Sequence, residues 1–317
     1  LAPKAVVQWL CGKAKGYTER DGKEEVKAFW STGNVGMTGT SYNGTLPLAA
    51  ATTGVEGLKA IIPIAPTTSY YHYYRSNGLV RHPGGYLGED IDVLYDFIHS
   101  GDESKRAMAD SLVRDTEMAN GMDRITGDYN NFWYGRDYLN ELVEDDERAW
   151  IVREKDKQGE PTAYAEYPNP AAKDVQLHLT AGAPQQGGLS IKATDNQGKE
   201  TLVDNYSFSG STLAQAEYTD HRLLYITPKL KKDLHISGVP KIAVKLASNQ
   251  PAANLSVWLV SLPWKEGRRS KITDNIITRG WADPQNHASL TESEPLVPNQ
   301  FYEVSFDLQP DDQIIAK

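Results

Sequence analysis

The residue of this chain best placed to do chemistry is a serine set among glycines, Ser41 in "VGMTGTSYNGT" (35–45). A serine hydroxyl is a weak nucleophile, so catalysis by it needs exposure, a nearby base and donors that stabilise an oxyanion. A tight strand-to-helix turn, the nucleophile elbow, supplies the exposure by lifting Oγ above a parallel sheet. Gly39 and Gly44 leave room on either side of Ser41 for a strand and a helix to cross. The backbone N–H of Tyr42, at the helix start, is then placed as one oxyanion donor. The usual elbow spacing is G-x-S-x-G; here Asn43 takes the place of the second glycine, which follows at Gly44. The alternative is a turn of small residues with nothing catalytic in it.

The elements around Ser41 have the required order. "NVGMTG" has the character of a short strand, "TLPLAAATTG" that of a small-residue helix closed by Gly54, and "LKAIIPIAP" that of a buried parallel strand. Together they form one βαβ unit. Pro47 predicts a kink or a late start of the helix, because its missing N–H falls beyond the first turn if the helix begins at Tyr42. From about 67 to 142 the texture becomes helical, as in "IDVLYDFIHS" and "SLVRDTEMANGMDRI", with crowded tyrosines and no β-branched strand run. Beyond about 144, seven or more short alternating segments, from "VQLHLT" to "FYEVSFDL", predict an antiparallel β-sandwich without helices. The fold class expected is therefore α/β plus all-β. A partial α/β-hydrolase core with a helical cap insertion (domain 1–143) precedes a β-sandwich (domain 144–317).

The runs "EVKAFWSTGNVGMTGTSYNGT", "ATTGVEGLKAIIPIA", "YYRSNGLV", "PGGYLGEDIDVL" and "GDYNNFWYGRDYL" resemble, in order, the catalytic domain of the Xaa-Pro dipeptidyl-peptidases. These are serine peptidases related to acyl hydrolases of the cocaine-esterase type. The resemblance spans about residues 24 to 140, and the second half matches the family's C-terminal jelly-roll-like sandwich more loosely. It implies release of N-terminal Xaa-Pro dipeptides through an acyl-enzyme on Ser41, with Tyr42 lending its N–H to the oxyanion. It also implies that Glu89, or its neighbour Asp90, reads the substrate's free amine, and that Tyr70 and Tyr73 wall the proline pocket. Ion pairing suits that task, since a buried ammonium without a counter-charge is costly. The partners expected are peptides with a penultimate proline, and no cofactor or metal is implied. Two other readings stand beside this one: an ester or amide hydrolase of the cocaine-esterase type, and a noncatalytic β-sandwich binding module with a relic hydrolase segment.

A hydrolase triad follows the chain order Ser, Asp or Glu, His, each on a loop after a later sheet strand. No such strands are legible between cap and sandwich, and the upstream strands that hold an oxyanion tyrosine in the family are missing too. His72, His82, His99, His178, His221, His235 and His287 follow no parallel strand and read as packing or surface residues. The expectation is an incomplete chain with a break between about Tyr138 and Asp146, little peptidase activity by itself, and a C-terminus "QPDDQIIAK" that stops before the sandwich is finished.

Composition narrows the classes. The chain has 317 residues, 39% of them hydrophobic, enough for a sizeable core. A net charge of -9 gives no basic face for phosphates, so nucleic acid is not expected as a partner. No apolar run approaches the ~18 residues of a membrane span, and "LAPKAVVQWL" has no signal-peptide pattern. The lone Cys11 excludes an intramolecular disulfide and a zinc ribbon. Sequons at Asn43, Asn205 and Asn254 carry little weight. Trp258, Trp264 and Trp281 read as sandwich packing rather than a carbohydrate platform. Compartment (cytoplasmic or exported) and homo-oligomer formation stay open.

Overall fold

The computed structural model describes residues 2–19, 21–81, 90–99, 103–141, 149–151, 162–194, 197–265 and 275–317. The chain divides into two compact units. One contains residues 1–145, 246–254 and 282–302; the other contains 146–245, 255–281 and 303–317. The units interleave along the chain, and 282–302 hydrogen-bonds into the first of them. Examples are Asp283 N–H to the Asn77 carbonyl (3.1 Å) and Tyr129 N–H to the Leu290 carbonyl (2.7 Å).

The first unit opens with α1 (Ala2–Leu10) and a short antiparallel pair, β1 (Gly16–Tyr17) with β2 (Glu25–Val26). Next comes the expected βαβ unit. The strand β3 (Val35–Thr40) runs parallel to β4 (Leu58–Ile64), and α2 (Tyr42–Ala51) packs against both. The helix starts at Tyr42 and carries Pro47 in its interior, so the late start predicted from Pro47 does not occur. Val7, Val35 and Val55 close a small core beneath this unit.

The cap interval is helical as expected. It holds α3 (Tyr70–Tyr74), α4 (Ile91–Ile98), α5 (Glu103–Ala109) continuing through a π-helical stretch into α6 (Ala119–Gly121), and α7 (Asn131–Tyr134). A hairpin interrupts it, β5 (Arg75–Ser76) with β6 (Leu79–Val80), turned by Asn77 and Gly78 at φ 50° and 82°. Positive φ at both turn residues is what an Asn-Gly pair provides. The cap core is aromatic: Tyr70, Tyr71, Tyr74, Ile91, Tyr95, Met118, Met122, Phe132 and Trp133 are buried together. Edge-to-face pairs such as Tyr71–Tyr129, 4.8 Å apart at 84°, contribute about 0.5–1.5 kcal/mol each beyond the area they bury.

The regular elements of the second unit are mostly strands. It contains β7 (Ala149–Ile151) with β8 (Thr162–Tyr164); β9 (His178–Thr180), β10 (Gly187–Ser190) and β11 (Tyr225–Ile226); and β12 (Leu234–Gly238), β13 (Lys241–Leu246), β14 (Leu255–Val260), β15 (Ile276–Ala282), β16 (Tyr302–Asp307) and β17 (Asp311–Ile315). Two expectations are corrected here, and one further strand is found. A helix, α8 (Gly210–Gln215), is present, its first turn capped by Ser209 accepting from Thr212 N–H. The β10–β11 pair is parallel rather than antiparallel. The terminal "DDQII" is a strand, β17, paired along its whole length with β12. Its buried Asp311, Asp312 and Gln313 hide the alternation by which a strand is recognised.

Candidate active site

Ser41 occupies the position between the end of β3 and the start of α2, exposed to solvent. Its N–H donates to the Ile64 carbonyl at the end of the parallel neighbour (2.9 Å), which ties it to the carboxyl edge of the sheet. Open α/β sheets bind ligands at that edge. The backbone of Ser41 has φ 58° and ψ -126°, a conformation a residue with a Cβ rarely adopts. Such geometry costs about 1–3 kcal/mol and persists only where the surroundings impose it.

The surroundings are Gly39, Asn43 and Gly44. A Cβ at Gly39 would overlap the Asn43 carbonyl, and one at Gly44 would lie 2.9 Å from the carbonyl oxygens of both Gly39 and Ile64. Strand and helix therefore cross at backbone contact, with the second glycine three residues after the serine. Ser41 stands at the helix N-cap yet makes no side-chain capping bond. A capping serine typically stabilises a helix by ~1 kcal/mol, and that stabilisation is absent here. Among the described residues no side chain hydrogen-bonds its Oγ. As first residue of α2, Tyr42 has an N–H with no carbonyl to bond within the helix, at the positive end of the helix dipole. Exposed hydroxyl, free helix-end donors and the mouth of a parallel sheet together form a centre suited to attack on a carbonyl and retention of the resulting oxyanion.

The elbow is locked to the cap through Thr45. Its buried hydroxyl donates to the Thr67 carbonyl (3.1 Å) and accepts from Thr67 N–H (2.9 Å). From there the backbone pairs with the end of the cap: Tyr138 N–H bonds the Thr68 carbonyl and Tyr70 N–H the Arg136 carbonyl. The hydroxyl of Tyr70 is thereby brought to Thr45, Tyr42 and Tyr138. Burial above all, with the Tyr138 and Tyr42 hydroxyls adding to it, raises its pKa far above the ordinary tyrosine value, and contact with Thr45 acts the other way. Tyr73, one helical turn on, shares that face and is 53% exposed.

Glu89 and His82 lie outside the described residues, as do 142–148 in the interval where a break is expected. Asp90 is fully buried and already engaged. Oδ1 accepts from Arg75 (3.2 Å) and from Ile91 N–H at the start of α4 (2.8 Å), and Oδ2 accepts from Arg124 (2.9 Å). Both oxygens of Asp90, expected as the alternative to Glu89 for reading the amine, are thus taken up by partners within the protein. Arg75, equally buried, also lies over the Trp133 ring at 4.8 Å and donates to the Met122 carbonyl (2.6 Å).

None of the described histidines hydrogen-bonds Ser41. His221 bonds the Val203 carbonyl (2.7 Å), and His287 sits beside the Tyr302 ring. His235 is more than packing. Its Nε2 lies 3.0 Å from Asp312 Oδ1 on the paired strands β12 and β17 of the second unit. Burial pushes the Asp312 carboxyl up, but bonds from His235, Ser237 and Tyr164 outweigh it and hold the group below the usual carboxylate range. Trp258 and Trp264 stack on each other at 6.2 Å, and Trp281 takes the Arg279 guanidinium. Among the described residues there is no cluster of three metal-ligating side chains, and no helix is long and apolar enough to cross a membrane.

Comparison with known proteins places the chain in a family. Residues 2–152 match the family described as X-Pro dipeptidyl-peptidase (S15 family), and residues 142–317 match the X-Pro dipeptidyl-peptidase C-terminal non-catalytic domain. A Rhodopirellula baltica protein provisionally named as a Xaa-Pro dipeptidyl-peptidase is 55% identical over 387 residues, covering 100% of this chain and 62% of its own length. The Xaa-Pro dipeptidyl-peptidase of Streptococcus thermophilus is 45% identical over 143 residues, 44% of this chain and 19% of its own. Among solved structures, an α-amino acid ester hydrolase matches with TM-score 0.58 and 15% identity, covering 98% of this chain and 70% of that one. A CocE/NonD family hydrolase from Staphylococcus aureus matches with TM-score 0.56 and 13% identity, covering 99% and 65%. At those identities the likeness is one of fold, the α/β-hydrolase kind with an added C-terminal domain. The chain spans less than two thirds of the length of the Rhodopirellula relative. The 387 aligned residues exceed the 317 present, so that relative also carries internal segments without counterpart here.

Proposed function

The chain belongs to the X-Pro dipeptidyl-peptidase family, and from that premise we propose that Ser41 is the nucleophile of a serine exopeptidase releasing N-terminal Xaa-Pro dipeptides. The observation that carries the reading is the backbone of Ser41, φ 58° and ψ -126° at the crossing of β3 and α2. A serine used only as a cap would sit in the extended region and bond the first helical turn. This one is turned out of both roles.

In the reaction, Ser41 Oγ attacks the carbonyl carbon of the penultimate proline. The oxyanion forms against the Tyr42 N–H, and the amine of the remaining peptide leaves with a proton. Water then hydrolyses the acyl-enzyme and frees the dipeptide. Removing one oxyanion donor typically costs about a hundredfold to a thousandfold in rate. Tyr70 and Tyr73 offer flat rings to the pyrrolidine, with the Tyr70 hydroxyl held neutral by burial. The amine-reading role falls to Glu89, because the oxygens of Asp90 are committed to Arg75, Arg124 and Ile91. We assign no base, since no described histidine reaches Ser41.

The test is reaction of the whole protein with a fluorophosphonate probe, followed by turnover of Gly-Pro and acetyl-Gly-Pro anilides. Covalent labelling at Ser41, lost in Ser41→Ala, with turnover of the free-amine substrate alone, supports the reading. Absence of labelling removes the nucleophile, and equal turnover of both anilides removes the amine-reading role.

A further inference from the structure

We propose that Asn286, on the segment between β15 and β16, is a positioning residue that holds the tyrosine helix α3 in place through the Asn77–Gly78 turn. The segment belongs by sequence to the domain described as non-catalytic, yet it folds within the first unit. In its consequence for substrate the proposal rests on Tyr70 and Tyr73 lining the pocket; the packing argument stands without that reading.

The contact is close. A Cβ at Gly78, itself at φ 82°, would overlap Asn286 Oδ1, so the amide lies flat against the turn. Its orientation is set from the other side, where Nδ2 donates to Asp128 Oδ1 (2.8 Å) and to the Ser289 carbonyl (3.1 Å). Asp128 Oδ2 accepts from Ser293 N–H (3.3 Å), and Asp283 N–H bonds the Asn77 carbonyl (3.1 Å). Both sides of the turn are therefore gripped by one segment.

The turn in turn grips the helix. Gly78 N–H donates to the Tyr71 hydroxyl (3.1 Å), which donates to the Gly127 carbonyl (3.1 Å). Tyr71 is fully buried and sits between Tyr70 and Tyr73 in a helix of five residues. A helix so short has no stability of its own, and its place is whatever its neighbours impose. Anchoring Tyr71 fixes the rotation of α3 about its axis, and with it the direction in which Tyr73 faces. Asn286 acts two contacts away from that ring.

Amide exchange by mass spectrometry on the whole protein tests the first link, comparing Asn286→Ala, Asp128→Ala and Asp128→Asn with wild type. Peptides within 69–81 are expected to exchange about tenfold faster in the two alanine variants, with 42–51 unchanged. In Asp128→Asn, whose amide oxygen still accepts from Nδ2 while the longer bond from Ser293 N–H is lost, the rate is expected to fall most of the way back to wild type. For an Xaa-Pro anilide, Asn286→Ala is expected to raise KM about tenfold with kcat within about twofold, the mark of lost binding rather than lost chemistry. Unchanged exchange across 69–81 overturns the inference, as does uniform acceleration along the chain with no recovery in Asp128→Asn. Faster local exchange with KM unmoved reduces the segment to a purely structural role and overturns it too. A wild type that turns over no Xaa-Pro substrate but shows the local exchange pattern sinks the functional reading and upholds the hold on α3.

Discussion

Gly39 lies directly against the carbonyl of Asn43, four residues on, so closely that a Cβ on residue 39 would overlap it. This approach lets the chain reverse from β3 into α2 within the single residue Ser41. Gly39→Ala is expected to destabilise the protein by about 1–3 kcal/mol through overpacking. It should also cut fluorophosphonate labelling at Ser41 by about a hundredfold or more as the elbow opens. Gly44→Ala, at 2.9 Å from two carbonyl oxygens, should behave alike. Chemical denaturation and labelling rate check both, and an alanine tolerated at 39 with full labelling would mean that the crossing is looser than described.

The strained backbone of Ser41 makes a second prediction of opposite sign. Glycine adopts φ 58°, ψ -126° without a Cβ penalty. Relief of about 1–3 kcal/mol is offset in part by the freer unfolded chain. Ser41→Gly should therefore raise stability by about 1 kcal/mol while abolishing labelling. A variant less stable than wild type would show that the serine side chain contributes packing not seen here.

Asp90 and Arg75 form a fully buried ion pair at 3.2 Å, to which Arg124 adds at 2.9 Å. Removing one partner leaves an uncompensated buried charge, so Asp90→Ala should cost about 3–5 kcal/mol in urea unfolding. A milder change, Asp90→Asn, separates structure from recognition. Preserved preference for Gly-Pro over acetyl-Gly-Pro anilide in the folded variant leaves amine reading with Glu89. Loss of that preference at unchanged stability would return the role to Asp90.

Acid should weaken the second unit through Asp312. Its folded-state pKa lies below the ordinary value, with His235, Ser237 and Tyr164 as bonding partners. A depressed carboxylate contributes stability that is fully present above its unfolded pKa, about 3.9, and is lost as pH falls through the folded value. Asp312→Asn is thus expected to cost about 1–3 kcal/mol at pH 7, with the gap to wild type closing below about pH 4. A gap that stays constant down to pH 2.5 would assign the cost to packing instead of charge.

The elbow was legible because it is local. Strand, glycines, serine and small-residue helix lie within seventeen residues, Val35–Ala51, and the parallel partner announces itself as an apolar run. The cap is legible as helical texture, and the Asn-Gly pair at 77–78 inside it carries the signal of the β5–β6 hairpin. The late start that Pro47 suggests does not occur, its ring being buried within α2. Strand β17 carries no strand signal because the consecutive polar residues Asp311, Asp312 and Gln313 are buried on both of its faces, with partners elsewhere in the chain.

By itself, then, the amino-acid order determined which residue can present a hydroxyl and which family's architecture surrounds it. Short-range sterics decide such matters, and glycine spacing records them. What Asp90 does, which face of α3 is offered, and that Asn286 reaches Asp128 across 158 positions were decided only by the tertiary structure. A carboxylate or amide carries no mark in the sequence of the partner that will satisfy it. Once water is excluded, that choice falls to whatever the fold brings within about 3 Å of it.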